Sequence, residues 1–322
     1  MAQLARSLAP HTVLIHHDFS QTADFVIDEP NVVFVADPKR TGWAVWGFVD
    51  GLFHGMRYAL RHLEFDYLQV LSPTCLPIKP IADFERHVMA GGIEAHYAAV
   101  DVLNDPDAYM TIGFRAFAPQ GTLRYKLLMR MTWLYFGGVN LLNDHDSSQQ
   151  RRDVGNVQLR TGGETTASGR LRLRARFARG IMRLAERYGR HGFSSDLPPF
   201  YGSTWFGARR HVIAWMVDRF AQPDIQRYFP DKHIADEFLV PTLLKRGGFR
   251  SGTVNHCIVT FVEANPTWLS DADFDKLRAS PAHFARKFPD DSTAPIRHRV
   301  LRDLALRADR SAGAAVDAVA VS

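Results

Sequence analysis

Apolar residues recur along this chain with two different periods. Thr12-Val13-Leu14-Ile15-His16-His17 and Asn31-Val32-Val33-Phe34-Val35-Ala36 are short β-branched runs that end in polar residues, and they predict two buried strands. The chain between them is too short for a long helix. From position 43 to 63 the spacing changes: Trp46, Val49, Phe53, Met56, Leu60 and Leu63 follow at three- and four-residue steps, which predicts an amphipathic helix. Asp66-Tyr67-Leu68-Gln69-Val70-Leu71 then predicts another strand, closed by Ser72-Pro73. Strand, helix and strand in that order argue for an α/β sheet with crossover connections.

Beyond Val100 the periodicity weakens. Residues 121–137 have a helical, aromatic-rich pattern, and residues 143–169 are polar, rich in Gly, Ser and Thr, and expected to form a mobile loop. Eight arginines follow between Arg170 and Arg190. Phe177, Ile181, Leu184 and Tyr188 form an apolar stripe in this segment, with Arg179, Arg183, Arg187 and Arg190 off it. The plain reading is a helix with a solvated cationic face; the other is a face that meets anionic lipid or a phosphorylated acceptor. One domain is expected over residues 1–305, with a frayed tail over 306–322.

Composition narrows the class only a little. The 322 residues, 46% hydrophobic and 23% charged, are those of an ordinary globular protein. No run approaches the roughly 20 apolar residues of a membrane span, and the first residues lack a signal-peptide pattern. Cys75 and Cys257 have neither metal-ligand spacing nor a disulfide framework, which points to a reducing cytoplasm. The net charge of +5 suits nucleic acid, anionic lipid or a phosphorylated substrate without choosing among them. Nucleic acid is the weakest of these, because the run from Arg170 to Arg176 has no interleaved aromatic residue.

Candidate chemistry concentrates between Tyr201 and Phe288. Three signatures stand there in order: Tyr201-Gly202-Ser203-Thr204-Trp205-Phe206, then Ala235-Asp236-Glu237-Phe238-Leu239 with Thr242-Leu243-Leu244, then Phe284-Ala285-Arg286-Lys287-Phe288. Glu237 borders an apolar block, and Pro241 favours placing it in or just before the first turn of a helix. Asp236 has the bland reading of a solvated acid at a helix start. Lys287 lies between two phenylalanines, and spacing alone reads it as a snorkelling surface lysine. The acidic pairs Asp105/Asp107, Asp144/Asp146 and Asp271/Asp273 read as turn, loop and helix-start residues rather than metal ligands. His16, His17, His233, His256 and His283 form no recognisable ligand set. There is no P-loop, no Rossmann glycine fingerprint and no Gly-x-Ser-x-Gly setting for Ser72 or Ser203.

Taken together and in order, the three signatures resemble the core-2/I-branching β-1,6-N-acetylglucosaminyltransferase family, which includes the peptide O-xylosyltransferases. Upstream, Leu14-Ile15-His16-His17-Asp18 is similar to that family's strand ending in His-x-Asp. Trp43 to Trp46 is similar to its Trp/Ser-rich helix start, and Leu71-Ser72-Pro73-Thr74-Cys75-Leu76-Pro77-Ile78-Lys79 to its Leu-Ser-Gly-x-Asp-Tyr-Pro-Ile-Lys segment. The resemblance covers about residues 4–290, poorly over 95–195. It implies a GT-A-like α/β domain with a mostly parallel central sheet, and an inverting transfer of GlcNAc or xylose from UDP-GlcNAc or UDP-xylose without a metal or other cofactor. Glu237 matches the catalytic base, Lys287 the basic residue on the leaving diphosphate, and Asp18 the acid that contacts the nucleoside. Glu94 falls at an acceptor-binding glutamate, and the segment holding Ser203 and Trp205 lines the site.

The chain departs from the family in three places. Met1 to Ala9 supplies only the end of the family's opening helix, so the usual first strand is expected to be missing. Asn255 stands nearest to the arginine that the family pairs with its lysine, which leaves Arg250 or Arg286 as substitutes. A short link joins Glu237 to Val254 where animal members have a long acceptor segment. The expectation is a cytoplasmic glycosyltransferase with a glycan acceptor; were that acceptor lipid-linked, the arginine-rich helix would lie at the inner face of the membrane. A catalytically inactive module that binds a sugar nucleotide or glycan is the alternative.

Overall fold

The computed structural model describes residues 1–137, 151–154, 157–161, 169–252, 257–259, 261–262 and 265–306. Helix α1 (Ala2–Ser7) precedes β1 (Val13–Ile15) and β2 (Val32–Phe34), which pair in parallel with Val13 opposite Val32. Residues 16–31, which join the two strands, contain no helix. Helix α2 (Trp46–His62) buries Val49, Phe53, Met56 and Ala59, the face its spacing predicts. Then come β3 (Tyr67–Gln69), β4 (Leu76–Pro77), α3 (Ile81–Met89), β5 (Ala95–His96) and β6 (Ala99–Asp101). Helices α4 (Pro106–Ala116) and α5 (Leu123–Tyr135) lead to β7 (Arg151–Val154), β8 (Val157–Arg160) and α6 (Gly169–Tyr188). The last part holds β9 (Phe200–Gly202), β10 (Gly207–Arg209), α7 (Arg210–Phe220), α8 (Pro223–Tyr228) and α9 (Asp236–Arg246). It closes with β11 (Ser251–Gly252), β12 (Cys257–Val259), β13 (Phe261–Val262), β14 (Asn265–Pro266), α10 (Phe274–Ala279), β15 (Phe284–Arg286) and α11 (Pro295–Val300).

The protein is mixed α/β, and its described sheets are small. The widest has the order β11-β5-β10-β3; β10 runs against both neighbours, while β5 and β11 are parallel. Three of its strands therefore share one sense and β10 opposes them. The sheet of β12, β15 and β4 combines one parallel and one antiparallel pairing. The expectation of one mostly parallel central sheet gives way to this mixed set. The strands are only two to four residues long, and Pro73 and the Gly91-Gly92 pair stand beside runs that would otherwise extend.

Two hydrophobic cores lie side by side. The larger gathers Val49, Phe53, Ile112, Phe206, Phe220, Phe238 and Leu243, with the Phe53 and Phe220 rings stacked at 3.9 Å. The smaller gathers Leu4, Cys75, Leu76, Phe84, Phe284, Phe288 and Val300, so α1 is built into it. Each fully buried phenylalanine contributes roughly 2–3 kcal/mol. Trp205 packs on the smaller core and its neighbour Phe206 in the larger, so this segment is a seam between them.

The chain departs from its sequence pattern at β7–β8 and at α6. The stretch 143–169, read as one mobile loop, contains the antiparallel pair β7–β8, with Arg151 opposite Arg160 and Leu159 buried. Its signal, Val154-Gly155-Asn156-Val157, is a turn dipeptide between valines, masked by the polar composition around it. The second departure concerns α6. Phe177, Leu184 and Tyr188 of the expected apolar stripe face solvent, while Ala175, Ala178 and Met182 are buried. Steps of three and four fit both faces, and the small residues win because α6 lies close against α4 and α5. Met182 sits directly on Gly113, where a Cβ would come within 2.6 Å of its Sδ. No described helix is long and apolar enough to cross a membrane. The expected tail beyond residue 306 and the pair Asp144/Asp146 lie outside the described residues.

Candidate active site

The N-terminus of α9 meets this seam. Just before it, Ile234 adopts φ +52° and donates its N–H to the carbonyl of Ala44 at 3.2 Å, and Ala44 itself has φ +64°. A left-handed β-branched residue costs on the order of 1–3 kcal/mol and persists only where surrounding packing enforces it. Asp236 and Glu237 follow as the first two helical residues, where acids complement the helix dipole. Pro241 stands deeper than the first turn, as the sixth residue of the helix. It lacks the N–H that would bond the Glu237 carbonyl one turn back. Gly202 lets β9 approach: a Cβ there would lie 2.2 Å from the Ala98 carbonyl and 3.1 Å from Pro241.

Glu237 does not stand alone. Its Oε2 accepts a hydrogen bond of 2.7 Å from Nη1 of Arg115, which reaches it from α4, 122 residues earlier. Arg115 is buried, with Tyr201 and Phe114 against its guanidinium. Burial disfavours the Arg115 charge, but the Glu237 carboxylate outweighs it and leaves the pKa raised. Burial, reinforced by the Glu237 charge, also holds the Tyr201 hydroxyl firmly protonated. Asp236 is half-buried and accepts from the Thr204 hydroxyl. Desolvation first, and the Glu237 charge second, push its carboxyl up to about 6. Two adjacent carboxyls thus have opposed settings, one tied to a buried cation and one held near neutrality.

From Thr204 the contacts continue to the third signature. Ser203 accepts the Trp205 N–H on its hydroxyl at 3.1 Å, and the Trp205 ring carries the Arg286 guanidinium 4.6 Å from its centroid. Arg286 Nε is buried without a protein acceptor, a donor oriented by stacking and still to be satisfied. Lys287 places Nζ 5.2 Å from the Trp268 ring centroid, and its carbonyl accepts the Leu269 N–H at 2.7 Å. Side-chain contacts therefore link Arg115 to Glu237, Asp236 to Thr204 and Trp205 to Arg286, and adjacency along the chain joins these pairs into one line. Glu237, Ser203, Trp205 and Arg286 lie along it, while Lys287 follows Arg286 in the chain with its side chain over Trp268.

The other candidates lie elsewhere or are already engaged. Asp18 is buried, and its Oδ1 accepts from the Ser20 N–H and hydroxyl while Oδ2 accepts from Gln21 Nε2 and the Thr41 N–H. The Ser20 hydroxyl, then Thr41 and Gln21, hold its carboxyl well below the usual range. It clamps the loop after β1 to the loop before α2. Glu94 and Arg250 pair with each other past the far end of α9, whose 11 residues span about 16 Å. Glu94 also takes His211 Nε2 at 2.7 Å. An open cleft of about 660 Å³ adjoins that end, lined by Arg209, Arg210 and His211. Arg210 spends its guanidinium on the Leu60 and Leu63 carbonyls and Arg209 on that of Ile93, so the cleft offers little convergent chemistry despite its size.

Asp105, expected in a turn, instead caps α4 by accepting the N–H groups of Asp107 and Ala108, and Ser270 and Asp273 form a capping box at the helix start expected there. Among the described residues no group of three His, Cys, Asp or Glu is placed to hold a metal ion. Asn255 and His256 lie outside the described residues. The sequence reading missed Arg115, for which no local motif exists, and underrated Asp236. It also missed that His283 stands with His87 and His96, at ring distances of 4.9 and 5.1 Å along the cluster. No family model matches the chain, and no curated protein matches it.

Proposed function

We propose that this chain is an inverting, metal-independent glycosyltransferase of the core-2/I-branching kind, which moves GlcNAc or xylose from a UDP-sugar to a glycan hydroxyl. The observation that carries the reading is the line from Arg115 to Arg286, with a paired carboxylate at one end and, at the other, Arg286 with its chain neighbour Lys287. Arg115 holds Glu237 by Oε2 and leaves Oε1 to receive the acceptor proton. The acceptor oxygen then attacks the anomeric carbon as the bond from that carbon to the diphosphate oxygen breaks. UDP departs with the bond electrons, and the positive charge of Arg286 and Lys287 stabilises it, with Arg286 Nε the donor still to be satisfied. Trp205 orients that guanidinium by stacking. Backbone strain at Ala44 and Ile234 supports the same location, since such residues cluster at active sites.

A screen of UDP-sugars against glycan acceptors, read by product detection, tests the reaction. Glu237→Gln is expected to lower turnover by at least about a hundredfold, the usual scale of a lost general base, and to leave UDP binding nearly intact. Equal turnover in that variant removes Glu237 from the mechanism. The second reading, an inactive module that binds a sugar nucleotide or glycan, draws on Asp18, whose carboxylate is fully engaged by its own loops. UDP binding with no product from any donor would favour it.

A further inference from the structure

The outward face of α6 is unlike the rest of the molecule. Leu173, Phe177, Leu184 and Tyr188 are 54–73% exposed. At 100° per residue they fall on one stripe about 22 Å long. The same helix buries Ala175, Ala178 and Met182 on the side that meets α4 and α5, so its packing face is already occupied. Helical geometry places Arg176 and Arg187 along one edge of the outward stripe and Arg174 along the other, all exposed. The one acid of α6, Glu186, is engaged by the Tyr109 hydroxyl at 2.6 Å.

Helix α5 continues this pattern. It packs on α6, and Arg124 in its first turn bonds the Ala185 carbonyl near the end of α6, so the start of α5 lies beside the last turns of α6. Leu123 and Leu127 are exposed on α5, with Lys126 and Arg130 exposed among them. Together the two helices carry ten basic side chains and one acid, whereas the whole chain is only +5. The rest of the molecule is therefore net acidic. A charge so polarised and interleaved with exposed leucine, phenylalanine and tyrosine suits a surface that is anionic and apolar within a few ångströms of depth. That describes the headgroup region of a bilayer. A nucleic acid would meet the charge but leave the leucines in water.

We infer that the α5–α6 face docks this protein peripherally on an anionic membrane, with the arginines on lipid phosphates and Leu173, Phe177, Leu184 and Tyr188 in the headgroup layer. The inference is independent of the transfer chemistry, and its test reads binding alone. The full chain is sedimented with vesicles of phosphatidylcholine, with and without about a third phosphatidylglycerol, at low and at raised salt. Retention is expected only on the anionic vesicles, falling several-fold with salt without vanishing. Joint Arg174→Glu, Arg176→Glu and Arg187→Glu replacement is expected to lower retention at least tenfold. Joint Phe177→Ser and Leu184→Ser replacement is expected to remove the part that resists salt. All five side chains are exposed, and a circular dichroism melt confirms that each variant folds. Equal retention on neutral vesicles, or none on either, overturns the inference. So does concentration-dependent dimerisation abolished by the serine variant, which assigns the stripe to a second copy. Duplex DNA binding lost in the glutamate variant, with vesicle binding unaffected, overturns it as well.

Discussion

The two ends of α9 pair a glutamate with an arginine in opposite ways. At the N-terminal end Glu237 meets an arginine that is 6% exposed, beside Asp236 and a strained Ile234. At the other end Glu94 meets Arg250, whose side chain is 72% exposed, with His211 also in solvent contact. The same two residue types thus form a buried anchor in one place and a wet contact in the other. Breaking a buried pair strands a charge, whereas exposed pairs are worth little. Burial also reverses the direction of the carboxyl shifts. Desolvation raises Asp236 to about 6, while the Arg250 N–H and then His211 lower Glu94. Chemistry that needs a poised proton fits only the first end.

The strongest way to break this contrast is to remove the buried cation. Arg115→Met keeps most of the volume and deletes the charge, leaving Glu237 and Asp236 adjacent without a counter-ion. The expected loss is about 2–4 kcal/mol, below the upper range for buried pairs because a third of the Glu237 side chain is in water. Urea unfolding at neutral pH measures it, and transfer should fall along with stability. A loss below about 1 kcal/mol would make the inner pair equivalent to the outer one. Adding Glu237→Gln should recover part of the loss, since the stranded charge is then gone.

Asp236→Asn sharpens the contrast through pH. A carboxyl raised in the folded state contributes stability that is fully present below the unfolded pKa near 3.8 and is lost as pH rises through about 6. The asparagine variant should therefore be more stable than the parent at pH 7, by about 1–2 kcal/mol after allowance for partial exposure. The two should converge near pH 4. Transfer should decrease in the same variant if the Asp236 proton serves the reaction, an ordinary trade of activity against stability. Parallel melting curves of the two proteins from pH 4 to 7 would show that Asp236 has no raised pKa.

How much of this was legible follows the range of the interactions. Strands at Val13–Ile15 and Val32–Phe34 and the helix from Trp46 follow from local apolar spacing, and they are present. Glu237 was placed in a first turn by Pro241 nearby, and it is there, although the proline lies deeper. Arg115 was not legible, because it meets Glu237 across 122 residues and sits in no motif. Arg250 carries the right chemistry in sequence, yet the length of α9 takes it to the far end, where it meets Glu94. The apolar stripe of α6 is legible in its spacing, but spacing reveals a face and not its neighbour, and Phe177, Leu184 and Tyr188 of that stripe face solvent. The hairpin at Arg151–Arg160 was hidden by its polar composition.

The smallest effect belongs to the outer pair, and it carries the sharpest sign. Glu94→Gln keeps the shape of the side chain and one oxygen to accept from the Arg250 N–H, turns an amide NH2 toward His211, and removes the charge. With Arg250 largely in water, the change at neutral pH should be the small one of an exposed pair. Because the Glu94 pKa is lowered on folding, its contribution is present above the unfolded value of 4.5 and fades as pH falls below it. The parent should therefore lose its small advantage over the glutamine variant in acid, opposite in direction to the change at Asp236. Melting curves of both proteins between pH 3 and 6, at low and raised salt, measure it, and salt should erase most of the difference. A large, salt-resistant loss would mean that the far end of α9 is as tightly built as the near one, and the case for placing the chemistry at Glu237 would lose its contrast.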